Sequence, residues 1–170
     1  MCFFLSYGRI VAPSVLSKYK NNLIVHASDL PKGKGWSPMT WQIIEGVNRI
    51  PLTLFEAAAS VDSGAVYKKT EIEFLGHELI DDLRAAVARR TQELCAWFVS
   101  EYPEVRKRGI PQRGESTYYP RRRPEDSRLS TERPLHEQFN LLRTVDSENY
   151  PAWFEYRNKR FALKIEYLDD

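Results

Sequence analysis

Sulfur, net charge and long apolar runs are all scarce in this sequence. Its 170 residues hold two cysteines, Cys2 and Cys95. Two thiols so far apart build neither a disulfide framework nor a paired-spacing zinc site, so no metal is expected and a reducing cytoplasm is the expected setting. Apolar runs such as residues 2–5 and 23–25 are only a few residues long, far short of the roughly 20 that span a bilayer, which excludes a membrane partner of that kind. Met1 runs directly into apolar residues without a basic flank or small-residue cleavage site, which speaks against a secretory signal. The net charge is only +2, well below the basic footprint of a nucleic-acid binder.

What is present suffices for one core: 42% of the residues are apolar and 28% charged, and the length suits one domain rather than two. Residues 104–134 carry nine Lys and Arg against five Asp and Glu, with four of the ten prolines, and show neither helical nor strand periodicity. They read as a linker wrapped over a surface, between a body of 1–103 and a tail of 135–170. The body alternates strand-like and helix-like segments, the pattern of an α/β layer with a parallel sheet. Strands are expected at 2–6, 23–25, 52–55 and 65–74. A short helix is expected at 38–45, opened by a capping Ser37 hydroxyl before Pro38 and stopped at Gly46. A long amphipathic helix is expected from 77 to about 100, where Ile80, Leu83, Val87, Leu94 and Phe98 make one stripe. In the tail, Leu135, Phe139, Leu142 and Val145 predict a helix, and 153–156 with 161–168 a hairpin turning at Asn158-Lys159.

Two stretches carry chemistry. In His26-Ala27-Ser28-Asp29-Leu30-Pro31-Lys32-Gly33-Lys34-Gly35-Trp36-Ser37-Pro38 an apolar strand ends in a histidine and feeds a basic, glycine-rich loop and a helix. Ligands of open α/β sheets bind beyond strand carboxyl ends, which makes His26 the candidate reactive group. In Ser60-Val61-Asp62-Ser63-Gly64 an aspartate turn closed by glycine joins two strands. Other candidates are weaker. Arg121-Arg122-Arg123 reads as a solvated run pairing locally with Glu125 and Asp126. His77 and His136 sit at helix starts without metal-ligand neighbours, and Trp153 and Phe154 read as packing.

Taken together, the two stretches make the chain resemble the folate-dependent formyltransferases. That family has a strand with Asn-x-His-x-Ser-x-Leu-Pro, then a basic Arg-Gly loop and helix, then a Val-Thr-Leu strand and an Asp-(Thr/Ser)-Gly turn. The matching pieces are His26, Ser28, Leu30, Pro31, the loop 32–35, Pro38, Trp41, Gly46, Leu52 to Phe55 and Asp62-Ser63-Gly64. The likeness continues through 114–122, 124–129 and 140–143, and so covers nearly the whole chain. The resemblance implies a Rossmann-like catalytic fold and transfer of a formyl group from 10-formyltetrahydrofolate to a primary amine. His26 would act on the amine, with Asp62 as the carboxylate that orients it. Tyr7 and Gly8 would lie beside the pterin, with Ser60, Val61 and Asp62 as its other wall.

The sequence departs from the family pattern at two places. Ile24 stands where the family has its catalytic asparagine, and Asn22, about 13 Å along the strand from His26, is too far to replace it. Ser28 or an N–H of the loop 27–34 is the expected substitute donor. By analogy with the family layout, about 70 to 80 residues of N-terminal βα units are expected to precede this part of the domain. Among family acceptors, the short tail and modest charge favour an amino-sugar nucleotide, with Ser28, Lys32, Lys34, Gly35 and Trp36 binding it, the lysines at its diphosphate. Nucleic acid is not expected as a partner; a homodimer is. Methionyl-tRNA formylation and a non-catalytic binding remnant are the alternatives.

Overall fold

A computed structural model of the chain describes residues 1–58 and 60–168. Residue 59 and the last two residues of the expected tail, 169 and 170, lie outside the described residues. The body is built on a four-stranded sheet of order β1-β2-β4-β5, where β1 is Cys2–Phe4, β2 Asn22–His26, β4 Arg49–Glu56 and β5 Val66–Glu73. Between them in the chain come α1 (Pro13–Leu16), β3 (Lys34–Gly35) and α2 (Pro38–Ile44); α3 (Ile80–Ser100) follows β5.

The sheet is mixed rather than parallel. β1 and β2 run parallel, but β2 pairs antiparallel with β4, and β4 with β5. Continuous apolar runs report burial on both faces and carry no information on direction, which is why the expected all-parallel arrangement fails past β2. The alternation in β5 is seen directly: Val66, Lys68, Thr70 and Ile72 are half-buried, whereas Lys69, Glu71 and Glu73 are exposed.

Helix α3 covers one face of this sheet. Its Leu94 and Phe98 pack with Leu23, Leu52, Leu54 and Val105, and its Leu83 closes a neighbouring cluster of Ile43, Ile50 and Phe74. Phe98 is fully buried and meets Phe3 and Tyr67 edge-on; burial of such a side chain stabilises the fold by about 1.5–3 kcal/mol. Val87, in the middle of the predicted stripe, is only half-buried.

Residues 104–134 contain a 3₁₀ turn at Glu104–Arg108, a two-residue strand β6 (Tyr118–Tyr119) parallel to β3, and a second 3₁₀ turn at Pro124–Ser127. The tail holds α4 (Leu135–Leu142) and the hairpin β7 (Ala152–Tyr156) and β8 (Lys159–Leu163). The hairpin turn falls on Arg157 and Asn158, both at positive φ (48° and 60°), one residue earlier than predicted; two consecutive left-handed residues are what a tight two-residue hairpin loop requires. Arg143 reaches from the end of α4 to Asn48 at the start of β4, with its guanidinium fully buried, and Arg84 of α3 pairs with Asp146 at 3.1 Å.

Candidate active site

The loop after β2 is held from several sides. Ser28 accepts a hydrogen bond at its carbonyl from Thr53 Oγ1 at 2.7 Å, and Lys69 Nζ donates to the Leu30 carbonyl at 2.7 Å. Gly33 N donates to Thr117 Oγ1 and Lys34 N to the Thr117 carbonyl, while Trp36 N donates to the Tyr119 carbonyl. The loop is thus the partner of residues 117–119, more than eighty positions along the chain. Gly35 is required at this contact: its φ is +96°, and a Cβ there would lie 2.4 Å from the Tyr119 carbonyl oxygen. The following sharp turn puts Ser37 at φ 47°, ψ 47°; α2 starts at Pro38 as expected, but the Ser37 hydroxyl makes no capping bond.

His26, the last residue of β2, points into the space this loop encloses. Its Nε2 lies 2.9 Å from the Gly33 carbonyl oxygen and 3.7 Å from Asp62 Oδ2. A carbonyl only accepts, so Nε2 carries the proton and donates it to Gly33; Nδ1 is then the nitrogen with the free lone pair. Both side chains are only 11% exposed. Asp62 is fixed in turn. Its Oδ2 accepts the Gly35 N–H at 2.9 Å, and its carbonyl, with that of Gly64, accepts from Gln112 Nε2, each at 2.9 Å. The residue itself adopts a left-handed φ of 48°. Gly64 allows the turn to close, because a Cβ at that position would fall 1.7 Å from the Glu56 carbonyl oxygen.

A cavity of about 490 Å³ opens beyond the ends of β1 and β2. Of the residues expected at the site, Tyr7, Gly8, His26, Gly35, Trp36, Ser60, Val61 and Asp62 line it. Ser28, Lys32 and Lys34 do not. Ser28 is 1% exposed, beneath the loop, packed where Gly33 closes over it. The backbone of Lys34 is consumed by pairing with β6, and Lys32 is exposed outside the cavity. Ile24 lines the cavity two residues before His26, where it offers no hydrogen bond. Asn22 is occupied elsewhere, donating to the Leu16 and Tyr19 carbonyls. Among the substitute donors, Ser28 is shut away, and the N–H groups of Lys32, Gly33 and Lys34 are already bonded to Asp29, Thr117 Oγ1 and Thr117 O.

Sequence reasoning missed Arg9, Gln112 and Tyr118. Arg9 and Tyr118 line the cavity, and Gln112 clamps the Asp62 turn. The last two lie in the expected linker, where no periodicity marks them. The arginine run also differs from expectation. Arg122 Nη2 donates to the Asp126 carbonyl and to Ser127 Oγ rather than to a carboxylate, and Arg121 lies 5.2 Å from the Trp36 ring centroid. Trp41 stacks on Tyr119 and donates its Nε1 hydrogen to the Pro120 carbonyl. The Tyr119 hydroxyl donates to Glu45 Oε2 at 2.7 Å, and burial together with this bond pushes its pKa up to about 12.

Among the described residues no group of three or more His, Cys, Asp or Glu could hold a metal ion, and no helix is long and apolar enough to cross a membrane.

Comparison with known proteins places these observations. The family model described as "Formyl transferase" matches residues 2–98. The methionyl-tRNA formyltransferase of Pelotomaculum thermopropionicum is 30% identical over 150 residues, covering 84% of this chain and 46% of that protein. The chain thus spans about half the length of the curated relatives it matches. Among solved structures, the methionyl-tRNA formyltransferase from Clostridium thermocellum superposes with a TM-score of 0.77 at 22% identity, covering 98% of this chain and 72% of that one. The formyltransferase PseJ from Anoxybacillus kamchatkensis, in complex with UDP-4,6-dideoxy-4-formamido-L-AltNAc and tetrahydrofolate, gives 0.53 at 24% identity, covering 69% of this chain and 62% of that one. These structural likenesses bear on the fold alone. With the family model matching more than half of its residues, this chain belongs to the formyl transferase family.

Proposed function

We propose that this chain carries the reactive half of a folate-dependent formyltransferase that formylates the primary amine of an amino-sugar nucleotide. One observation carries the reading: a single cavity joins the Tyr7-Gly8 loop, the His26–Asp62 pair and the aromatic Trp36. The cavity fits a folate donor in size and in wall: Tyr7 and Gly8 on one loop and Ser60, Val61 and Asp62 on another would hold the pterin. Bound there, 10-formyltetrahydrofolate supplies an electrophilic formyl carbon.

The chain's own residues handle the protons. The acceptor amine must be neutral to form the new C–N bond and must lose a proton as it does so. His26 Nδ1 takes that proton, while the Nε2 hydrogen stays on the Gly33 carbonyl and keeps the ring oriented. Asp62 stands 3.7 Å from Nε2, so a fixed negative charge faces the ring as it becomes positive. The same proton is then available to the departing nitrogen, which balances the reaction without outside acid or base. What the site lacks at position 24 is a donor for the negative charge developing on the formyl oxygen.

The curated relatives favour a second reading, methionyl-tRNA as the acceptor. One experiment distinguishes the two. Incubation with 10-formyltetrahydrofolate and either amino-sugar nucleotides or methionyl-tRNA, followed by mass spectrometry of the acceptor, should give formylated sugar, abolished in His26→Ala. Formylation of methionyl-tRNA alone would replace the acceptor, and failure with both would sink the reading. An RNA acceptor would also bind with a steep salt dependence.

A further inference from the structure

Next to Gly35, whose N–H fixes Asp62, stands Trp36, and the Trp36 N–H is tied to the Tyr119 carbonyl. This pairing brings the linker's Tyr118 into the wall of the same cavity, where its side chain remains 57% exposed. Gly35 has no side chain between the two aromatic residues: a Cβ there would lie 2.7 Å from the Tyr118 ring. Arg121, two residues beyond β6, sits with its guanidinium 5.2 Å from the Trp36 ring centroid. It makes no ion pair or hydrogen bond among the described residues, unlike Arg122, which is spent on Asp126 and Ser127. Two aromatic residues of the cavity wall, and an uncommitted guanidinium over one of them, therefore gather one residue away from the group that fixes Asp62.

We infer that Trp36, Tyr118 and Arg121 form the subsite for the nucleoside diphosphate end of the acceptor: the rings take the base, and Arg121, not Lys32 or Lys34, takes the phosphates. The inference rests on the amino-sugar nucleotide reading and deepens it. Aromatic faces stack on any base, and a planar guanidinium matches phosphate oxygens in a forked geometry while keeping its face on an indole ring. Arg121 is the cation whose guanidinium lies over the Trp36 ring, whereas the two lysines of the loop are absent from the cavity wall and Arg9 stands in it next to Tyr7 and Gly8 in the chain. The linker would then set acceptor choice, and residues 26–62 the chemistry.

The test is calorimetric titration of the full chain with UDP, dTDP, uridine and inorganic pyrophosphate, with tetrahydrofolate as the internal control. Trp36→Leu and Tyr118→Ala should weaken UDP and uridine about tenfold or more and leave pyrophosphate unchanged. Arg121→Gln should weaken UDP and pyrophosphate about tenfold and leave uridine unchanged. Trp36→Phe, which keeps a ring, should stay within about threefold of wild type. Unchanged UDP affinity in Trp36→Leu and Arg121→Gln, with tetrahydrofolate still bound, overturns the subsite. If those variants also keep the wild-type KM for an amino-sugar nucleotide, the subsite falls and the functional reading stands. If wild type binds neither nucleotide and formylates only methionyl-tRNA, both fall.

Discussion

Replacing Ile24 with asparagine should raise the rate of formyl transfer while lowering stability. Ile24 and His26 are two residues apart on β2, so they face the same side of the sheet about 6.6 Å apart along the strand, and both line the cavity. An amide at position 24 would stand beside the imidazole and donate to the formyl oxygen as charge builds there. One such preorganised donor is worth about 2.7–4 kcal/mol, or 10²–10³ in kcat. Because the bond strengthens only in the transition state, KM for the formyl donor should move little. The cost is packing. Ile24 is half-buried, in register between Phe4 and Phe55, so loss of its apolar contact and strand preference should cost about 1–2 kcal/mol. For a chain of this size that is about 3–8 °C in Tm. The assay is single-turnover transfer with saturating donor, alongside thermal melts of wild type, Ile24→Asn and Ile24→Ala. A folded Ile24→Asn variant no faster than wild type would refute the missing-donor argument. An equal gain in Ile24→Ala would refute it too, since that would trace the effect to space.

Asp62→Asn keeps an acceptor for the Gly35 N–H but removes the charge facing His26; at an effective dielectric near 20, two unit charges about 4 Å apart interact by about 4 kcal/mol, so kcat should fall two to three orders of magnitude with little change in Tm. Gln112→Ala leaves the Asp62 and Gly64 carbonyls without their shared donor, and should cost about 1 kcal/mol of stability and lower kcat about tenfold without altering tetrahydrofolate affinity; Gln112→Glu, which cannot donate when ionised, should not rescue it. The Tyr119 hydroxyl has its pKa raised from 10.0 to about 12, so its contribution is complete below pH 10 and lost as pH rises toward 12. Alkaline unfolding of wild type should therefore be steeper between those limits than that of Tyr119→Phe, which lacks the group, and parallel curves would contradict the Tyr119–Glu45 contact.

The four main strands of the body and helices α2 and α3 were legible because each buries one stripe or one run; the short α1 and β3 were not. The predicted stripe of α3 is the row that packs at Leu83, Leu94 and Phe98, and the β5 alternation appears as predicted. Val87 does both: half-buried, it packs against the same core cluster and, with Thr91, lines the cavity. Strand direction was not legible, since buried runs look alike in either sense. The candidate pair His26 and Asp62 could be named through their motifs, and the structure brings them to 3.7 Å. Charge on a glycine-rich loop suggests phosphate, but neither loop lysine lines the cavity, the loop's backbone being spent on a strand pairing that includes Lys34. Nothing local announces that pairing. Tyr118 and Tyr119 make only a two-residue strand, too short for any period to register, and its partner is eighty residues away.

That pairing changes what holds the candidate pair in place. The distance between His26 and Asp62 depends on two loops that do not contact each other through any regular element. The Asp62 turn is held by Gly35 from one side and Gln112 from the other; the loop bearing Gly33 and Gly35 is held by Thr117 and Tyr119. Both outer holds come from residues 112–119, so one short stretch of the linker fixes both halves of the pair. Proton transfer tolerates little slack in such a geometry, and a misplacement of 1 Å can cost a hundredfold. The segment whose composition suggests a solvated connection is therefore a strap over the site. Its bonds to backbone atoms explain why it can do this without periodicity: carbonyls, N–H groups, the Thr117 hydroxyl and the Gln112 amide set the spacing.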